Sequence, residues 1–295
     1  MDKFKFIFAV SLTGNLGVFV NMIDLPSPLV SAARMSISAA FLLLVLFLTR
    51  TPIHWEQVRS NALPLALSGL FFGFNSILIF ESYRYITVAV ATLCDYMAPV
   101  FAILLAPLVL GERLTRIHLL CTAGSFTGIL LISGVLSSGS AGDLRGIALG
   151  LAGGGCYCGM ILCNRKMRPI EDLARTFFQL FVAALVCGTY LLFHRDLITV
   201  PTDARTVGIL LIIGVVITGF GFVLYFSALS RLPTLTSCLL SYLEPIVAII
   251  SSALVLHQTL SGMQLAGTVL ILASTLLGEL GEHFSAHNSP EQPDP

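Results

Sequence analysis

Apolar residues follow one another along this chain in long unbroken stretches, with polar residues gathered in short gaps between them. Ten mostly apolar windows stand out, near 4–22, 28–49, 62–82, 88–110, 117–136, 145–163, 173–193, 206–229, 234–256 and 262–281. Each has the length of a helix that crosses the ~30 Å hydrocarbon core of a bilayer. Continuous rather than alternating apolarity selects helices over a barrel. Ten spans of about 20 residues use about 200 of the 295 residues and leave about 95 for nine connections and two tails, too few for an extramembrane domain. The pattern therefore predicts an all-α membrane protein with ten transmembrane helices. Lys3 and Lys5 ahead of the first run resemble a signal peptide, but the run is long. No small-x-small cleavage site follows at Asn21–Pro26, so it reads as a retained first helix. Residues 283–295, made of Ser, Asn, Gln, Pro and acid, are expected to form a disordered cytoplasmic tail.

Composition agrees and removes other classes. Hydrophobic residues make up 56% and charged residues 11%, with a mean hydropathy of +0.91 and a net charge of zero. A soluble globular protein carries roughly 25% charged residues. A soluble enzyme, a disordered chain and a nucleic-acid binder are excluded, and a balanced charge gives no pull toward phosphate. All seven cysteines lie inside the windows without a CxxC spacing, and they read as small hydrophobes. The six histidines show no metal-ligand spacing, and Gly153-Gly154-Gly155 lies inside a window rather than between strand and helix. No cofactor or metal is expected, and no energy domain is present to make ATP the direct driver.

Charge sets the orientation. With a cytoplasmic N-terminus, eleven of the sixteen basic residues fall in inside segments, among them Arg50, Arg59, Arg113, Arg165, Lys166 and Arg168. Four, Arg84, Arg145, Arg195 and Arg205, fall outside, and Arg34 lies within a span. Basic residues collect on the cytoplasmic side, so both termini are expected there.

A shift of 146 residues superimposes 73–131 on 219–277 without a gap. Identities include Gly73/Gly219, Phe80/Phe226, Tyr96/Tyr242, Pro99/Pro245 and Leu114/Leu260. The aliphatic pairs carry little weight; the Tyr-x-x-Pro pair carries more. Each half then holds five spans, an odd number, so the second half runs through the membrane upside down. The loop Gly111-Glu112-Arg113-Leu114-Thr115-Arg116 is basic, whereas its counterpart, 257–262, has no Lys or Arg. Inverted repeats are the architecture of alternating-access transporters, with the substrate near the midplane between the repeats.

The run Tyr85-x8-Cys94-Asp-Tyr-Met-Ala-Pro-Val, with Leu110-Gly-Glu-Arg-Leu-Thr and Gly124-x3-Gly128, resembles the EamA repeat of the drug/metabolite transporter superfamily. Leu239-Leu-Ser-Tyr-Leu-Glu-Pro-Ile, Leu254-Val-Leu-His-Gln-Thr-Leu and Gly267 resemble a second copy. The resemblance covers 4–282, with a first repeat over 1–137 and a second over 138–282. It implies ten helices in a 5+5 inverted arrangement around a central cavity. It also implies movement of amino acids, other metabolites or drugs, often outward. His257-Gln258 replaces the family's Gly-Glu in half two, in a loop of mostly structural role.

Ionisable residues inside a membrane are costly and usually face a cavity or a partner. The candidates are Arg34, Glu81, Asp95 and Glu244; Glu279 and Glu282, at the end of the last span, are expected to reach cytoplasmic water. Asp95 and Pro99 are four apart and share a helix face. Proline cannot donate to the carbonyl of residue 95, and Pro245 likewise frees the carbonyl of Ser241 beside Tyr242 and Glu244. The two sites each offer a kink, a phenol and an acid, either lining a cavity or serving bends and internal pairs. Glu244 has the further option of a structural hydrogen bond with Ser241. Arg34 fits two roles: it can hold a substrate carboxylate bidentately or neutralise Asp95 or Glu81. Asn15, Asn75 and Gln179 are candidates for cavity lining or for interhelix hydrogen bonds. Tyr96, Tyr157 and Tyr242 are candidate aromatic walls, and Trp55 is an interface anchor. The small-residue series at 69/73, 124/128 and 146/150/154 point to close helix contact.

These features read together as a secondary transporter of the cell inner membrane. It would move a small organic solute, an amino acid or related metabolite, outward by alternating access. The partners expected are the solute, the bilayer and, as candidate coupling ion, the proton; no nucleic acid is expected, and the chain is a monomer or homodimer. The alternatives are an uncoupled facilitator of the same fold and an intramembrane enzyme or sensor. The latter class lacks its signatures: only Asp95 is a deep aspartate, no His lies well inside a span, and no soluble output domain is present.

Overall fold

The computed structural model describes residues 2–109, 116–132, 143–199, 203–229, 240–241, 243–258 and 260–287. Every predicted window contains a helix. Six helices are long and apolar enough to cross a membrane: Asp2–Asn21, Ser27–Thr49, Ala62–Ser82, Leu144–Arg165, Asp172–Phe193 and Ala204–Tyr225. Shorter apolar helices, Val88–Ala102, Leu119–Ile132, Leu243–Val255 and Gly262–Ser274, occupy the other four windows. The chain is an all-α membrane protein.

Several spans are subdivided. Span one is α1 (Asp2–Gly14) and α2 (Leu16–Asn21), and span two is α3 (Ser27–Thr49). A short α4 (Trp55–Ser60) precedes span three, α5 (Ala62–Ser82). Span four is α6 (Val88–Asp95) and α7 (Ala98–Val109); span five is α8 (Arg116–Ile132). Then come α9 (Leu144–Arg165) and α10 (Asp172–Phe193). Span eight is α11 (Ala204–Leu211), a π-helical stretch (Ile212–Phe220) and α12 (Gly221–Leu229). Span nine contains α13 (Leu243–Val255), and span ten is α14 (Gly262–His287). The last helix thus runs five residues into the stretch expected as a tail. The rest of that tail, 288–295, lies outside the described residues, as do the Gly-Glu loop, Cys238 and Tyr242.

The helix ends follow local chemistry. Pro28 sits in the first turn of α3, where its missing N–H costs nothing, and the helix stops on Arg50 in the left-handed region at φ 51°. Side-chain oxygens of Thr87, Asp143, Glu171 and Asp203 cap α6, α9, α10 and α11. At the exposed Asp203, the hydrogen bond from the Thr206 amide holds the carboxyl below its ordinary range.

The surface is apolar, as a lipid-facing surface must be: Phe4, Phe47, Leu108 and Phe193 are each more than three-quarters exposed. Serines instead fill the interior, with Ser31, Ser38, Ser68, Ser76 and Ser82 buried. Small hydroxyl residues at interfaces let helix backbones approach. The spans pack across the chain's midpoint: α5 on α9 and α10, α3 on α10 and the π stretch, α8 on α14, α1 on α12 and α13, and α6 on α9 and α13.

The glycine stripe of α9 makes one of these contacts. A Cβ at Gly146 would lie 2.7 Å from Tyr85 Cβ, and one at Gly150 would lie 2.8 Å from Cys94 Cβ. At Gly154 it would lie 2.8 Å from the Cys94 carbonyl oxygen. The π stretch makes another. Gly214 and Gly219 face Ile37 and Phe41 of α3, each with a hypothetical Cβ 2.5 Å from the facing side chain. The glycines are five apart, one π turn, and their partners four apart, one α turn.

The stripe gives a test of opposite signs. Alanine is the better helix former by about 1 kcal/mol. Gly155 has nothing within 4 Å of its missing Cβ, so Gly155→Ala is expected to keep or raise the melting temperature in detergent. Gly154→Ala must move backbone and is expected to lose roughly 1–3 kcal/mol, seen as a lower melting temperature.

Candidate functional site

The centre of the molecule is built around the break in span four. α6 ends at Asp95 and α7 starts at Ala98, so Tyr96 and Met97 form the joint. The Tyr96 amide still donates to the Thr92 carbonyl at 2.9 Å, and the Phe101 amide to the Met97 carbonyl at 2.9 Å. Pro99 falls in the first turn of α7, where no intrahelical donor is required. The proline thus marks a restart of the helix directly after the acid and the phenol.

Both side chains at the joint are held from neighbouring spans. Asn75 of α5 donates through Nδ2 to Asp95 Oδ1 at 2.7 Å and to the Gly153 carbonyl of α9 at 3.1 Å. Tyr96 Oη lies 2.8 Å from Glu244 Oε2 and 3.0 Å from the Ser241 carbonyl, its single proton shared between the two acceptors. Ser241 carries the carbonyl that Pro245 leaves without its helical donor, and the phenol from span four supplies one. Pro245 itself is buried. Thr13 of α1 is a further hydrogen-bonding neighbour of Glu244. A Cβ at Gly14 would lie 2.7 Å from the Glu244 carbonyl oxygen, so span one presses on the start of α13.

Arg34, 6% exposed, is held by the other flank. Its Nε donates to Thr218 Oγ1 of the π stretch at 2.8 Å and its Nη1 to Ser76 Oγ of α5 at 3.4 Å. Ser76 in turn donates to Ser31 at 3.1 Å. The guanidinium also lies 5.7 Å from the Phe72 ring centroid and 5.5 Å from that of Phe80. Among the described residues it makes no ion pair, either with Asp95 or with Glu81, and its Nη2 has no hydrogen-bond partner. Arg34 interacts with Asp95 and Glu244 electrostatically at longer range.

The result is a polar string: Thr218, Arg34, Ser76 and Asn75, Asp95 and Tyr96, Glu244. It joins spans two, three, four, eight and nine. Arg34 and Asn75 each lie seven residues, about 10 Å of helix, inside the nearer end of their span, and Thr218 lies eleven residues before the end of α12.

Other candidates stand apart from it. Glu81 is part-exposed and lies 3.7 Å from Arg84, one turn along the same helix end. Asn15 donates to the Ser11 carbonyl at 2.7 Å within span one. Gln179 ties three spans together, donating to Ser68 Oγ at 2.9 Å and Asn164 Oδ1 at 2.5 Å. Tyr157 packs against the cluster of Ala98, Ala102, Cys158 and Leu162, and of these candidates it also interacts electrostatically with Tyr96 of the string. Sequence reasoning missed Thr218, Ser76 and Thr13. A lone hydroxyl in an apolar run carries no signal beyond its lying on a span that also faces a charge.

Thr218 is nearly isosteric with valine, which isolates its hydrogen bond. Thr218→Val is expected to destabilise the folded protein by roughly 1–2 kcal/mol, while Thr218→Ser keeps the acceptor and most of the stability. Thermal unfolding of the purified variants in one detergent reads the difference.

Comparison with known proteins identifies the family and the fold. The model of the EamA-like transporter family matches the chain twice, at residues 4–134 and 144–278. A probable amino-acid metabolite efflux pump of Salmonella typhimurium is 31% identical over 191 residues, 61% of this chain and 64% of that protein's length. The threonine/homoserine exporter RhtA of the same species is 25% identical over 275 residues, 90% of this chain and 84% of its own. A solved crystal structure aligns with 96% of this chain and 98% of its own at a TM-score of 0.65 and 17% identity, a likeness of fold. With nearly its whole length matched, this chain belongs to the EamA-like transporter family.

Proposed function

We propose that the protein is a secondary transporter that carries an amino acid or related metabolite outward across the inner membrane by alternating access. In this reading residues 1–137 and 138–282 are inverted repeats, both termini are cytoplasmic, and 283–295 is a cytoplasmic tail. Two observations support the repeats. The same family model matches each half. The most extensive helix pairings also map onto one another when span n is exchanged for span n+5: three on six becomes eight on one, and four on six becomes nine on one.

The observation that carries the function is the polar string. Its members come from both halves, and its charges are held by neutral hydrogen bonds rather than by one another. Arg34 is fixed through Nε and Nη1, which leaves Nη2 to bind a solute carboxylate. Asp95 is held through one carboxylate oxygen, which leaves the other for an ammonium group or a proton, while Glu244 is held by Tyr96 and Thr13. A zwitterion satisfies both ends at once. The printed names of the relatives, an amino-acid metabolite efflux pump and a threonine/homoserine exporter, favour the same class.

A panel of amino acids screened by thermal shift tests the binding reading: a ligand is expected to stabilise the wild type but neither Asp95→Asn nor Arg34→Ala. In proteoliposomes Asp95→Asn is expected to abolish flux driven by a pH gradient while the protein stays folded in the membrane. Unchanged gradient-driven flux would remove the coupling role. Counterflow of the same solute without any gradient would point to a facilitator.

A further inference from the structure

Around the end of span three and the start of span four, a cavity of about 380 Å³ opens between the two halves, lined in part by Tyr83, Thr87, Val90, Ile147, Gln258 and Gln264. In the orientation proposed above this is the outer face. The chain leaves α13 through His257, a non-glycine residue in the left-handed region at φ 55°, and the Gln258 amide returns to the Ser252 carbonyl at 3.2 Å. That tight reversal aims Gln258 across the seam. Its Oε1 accepts the backbone N–H of Val88, the first residue of α6, at 3.0 Å.

Gln264 makes a second crossing. In the first turn of α14 its Oε1 accepts the Ser261 N–H at 2.9 Å, and its Nε2 donates to the Ile132 carbonyl at the end of α8 at 3.4 Å. The first amides and the last carbonyls of a helix have no partner within it. Two such groups of the first half, one at each kind of helix end, are therefore satisfied by side chains of the second. Both bonds are neutral and lie at the face of the protein, so water can replace each when the halves part. Tyr83 lines the same cavity, stacks on Phe80 with ring centroids 5.9 Å apart, and interacts electrostatically with Asp95.

We propose that Gln258 and Gln264 are an outer latch, and that Tyr83 beneath it separates the cavity from Asp95. Release of the solute outward requires the latch to break. Both glutamines act as positioning residues for the conformational step. This rests on the alternating-access reading and on its orientation.

Val90 lines the cavity and is 3% exposed, which makes it a reporter of opening. Full-length Val90→Cys protein in right-side-out vesicles is treated with a membrane-impermeant maleimide, and labelling at position 90 is read by peptide mass spectrometry. Adding Gln258→Ala or Gln264→Ala is expected to raise the labelling rate at least fivefold. Unchanged labelling in both would overturn the latch. Should the alanine variants fail to fold, Gln258→Glu decides, because a carboxylate is a stronger acceptor at a helix N-terminus. Labelling slower than the parent supports the latch, and labelling equal or faster overturns it. A rise seen only from the opposite membrane face would keep the latch and overturn the orientation. Labelling needs no solute, so a wrong substrate class leaves the result intact.

Discussion

A guanidinium taken out of water in the middle of a membrane span costs about 2.5–3.5 kcal/mol even on the insertion scales that give the lowest values. Arg34 carries that cost, and the spans around it are arranged to offset it. Thr218 and Ser76 accept its protons, and the faces of Phe72 and Phe80 lie under its charge. No single helix neighbour supplies enough. The arginine is satisfied only when spans two, three and eight are in place together, which makes it a condition on assembly as much as a candidate ligand.

The same economy governs the acids. Asp95 and Glu244 come from different halves and do not meet. Each is held by a neutral donor that also reaches a backbone carbonyl: Asn75 through its two amide hydrogens to Asp95 and Gly153, and Tyr96 with one proton shared between Glu244 and Ser241. Neutral donors hold a carboxylate in position without cancelling its charge. An ion pair between Arg34 and Asp95 would be simpler, but it would leave no charge for a solute. In the transport role proposed above, that distinction separates a structural pair from a receptive site.

Much of this was legible in the residues. The ten windows are readable because a bilayer forces long apolar runs. Arg34, Asp95 and Glu244 stand out because charge is so scarce between them. Pro99 and Pro245 announced backbone irregularity, and the carbonyl of Ser241 is indeed used by another span. The pattern left both Glu81, near the end of its window, and Asp95, early in the next, as partners for Arg34. Only the fold turns one toward Arg84 at the end of its helix and the other toward Asn75 inside. Thr218 and Ser76 were invisible for a different reason: a hydroxyl in a helix satisfies itself so readily that its presence predicts little. The π stretch was hidden as well, because a wider turn keeps the same apolar composition as an α-helix.

That stretch has a consequence for anyone comparing this chain with its relatives. The five-residue step from Gly214 to Gly219 runs beside the four-residue step from Ile37 to Phe41. A relative whose eighth span is α-helical throughout keeps the same two contacts with one residue fewer. In an alignment the difference is a single-residue gap inside a membrane helix, where gaps are normally refused. An alignment forced straight through it would pair Thr218 with the wrong neighbour, and the partner of Arg34 would vanish from the comparison.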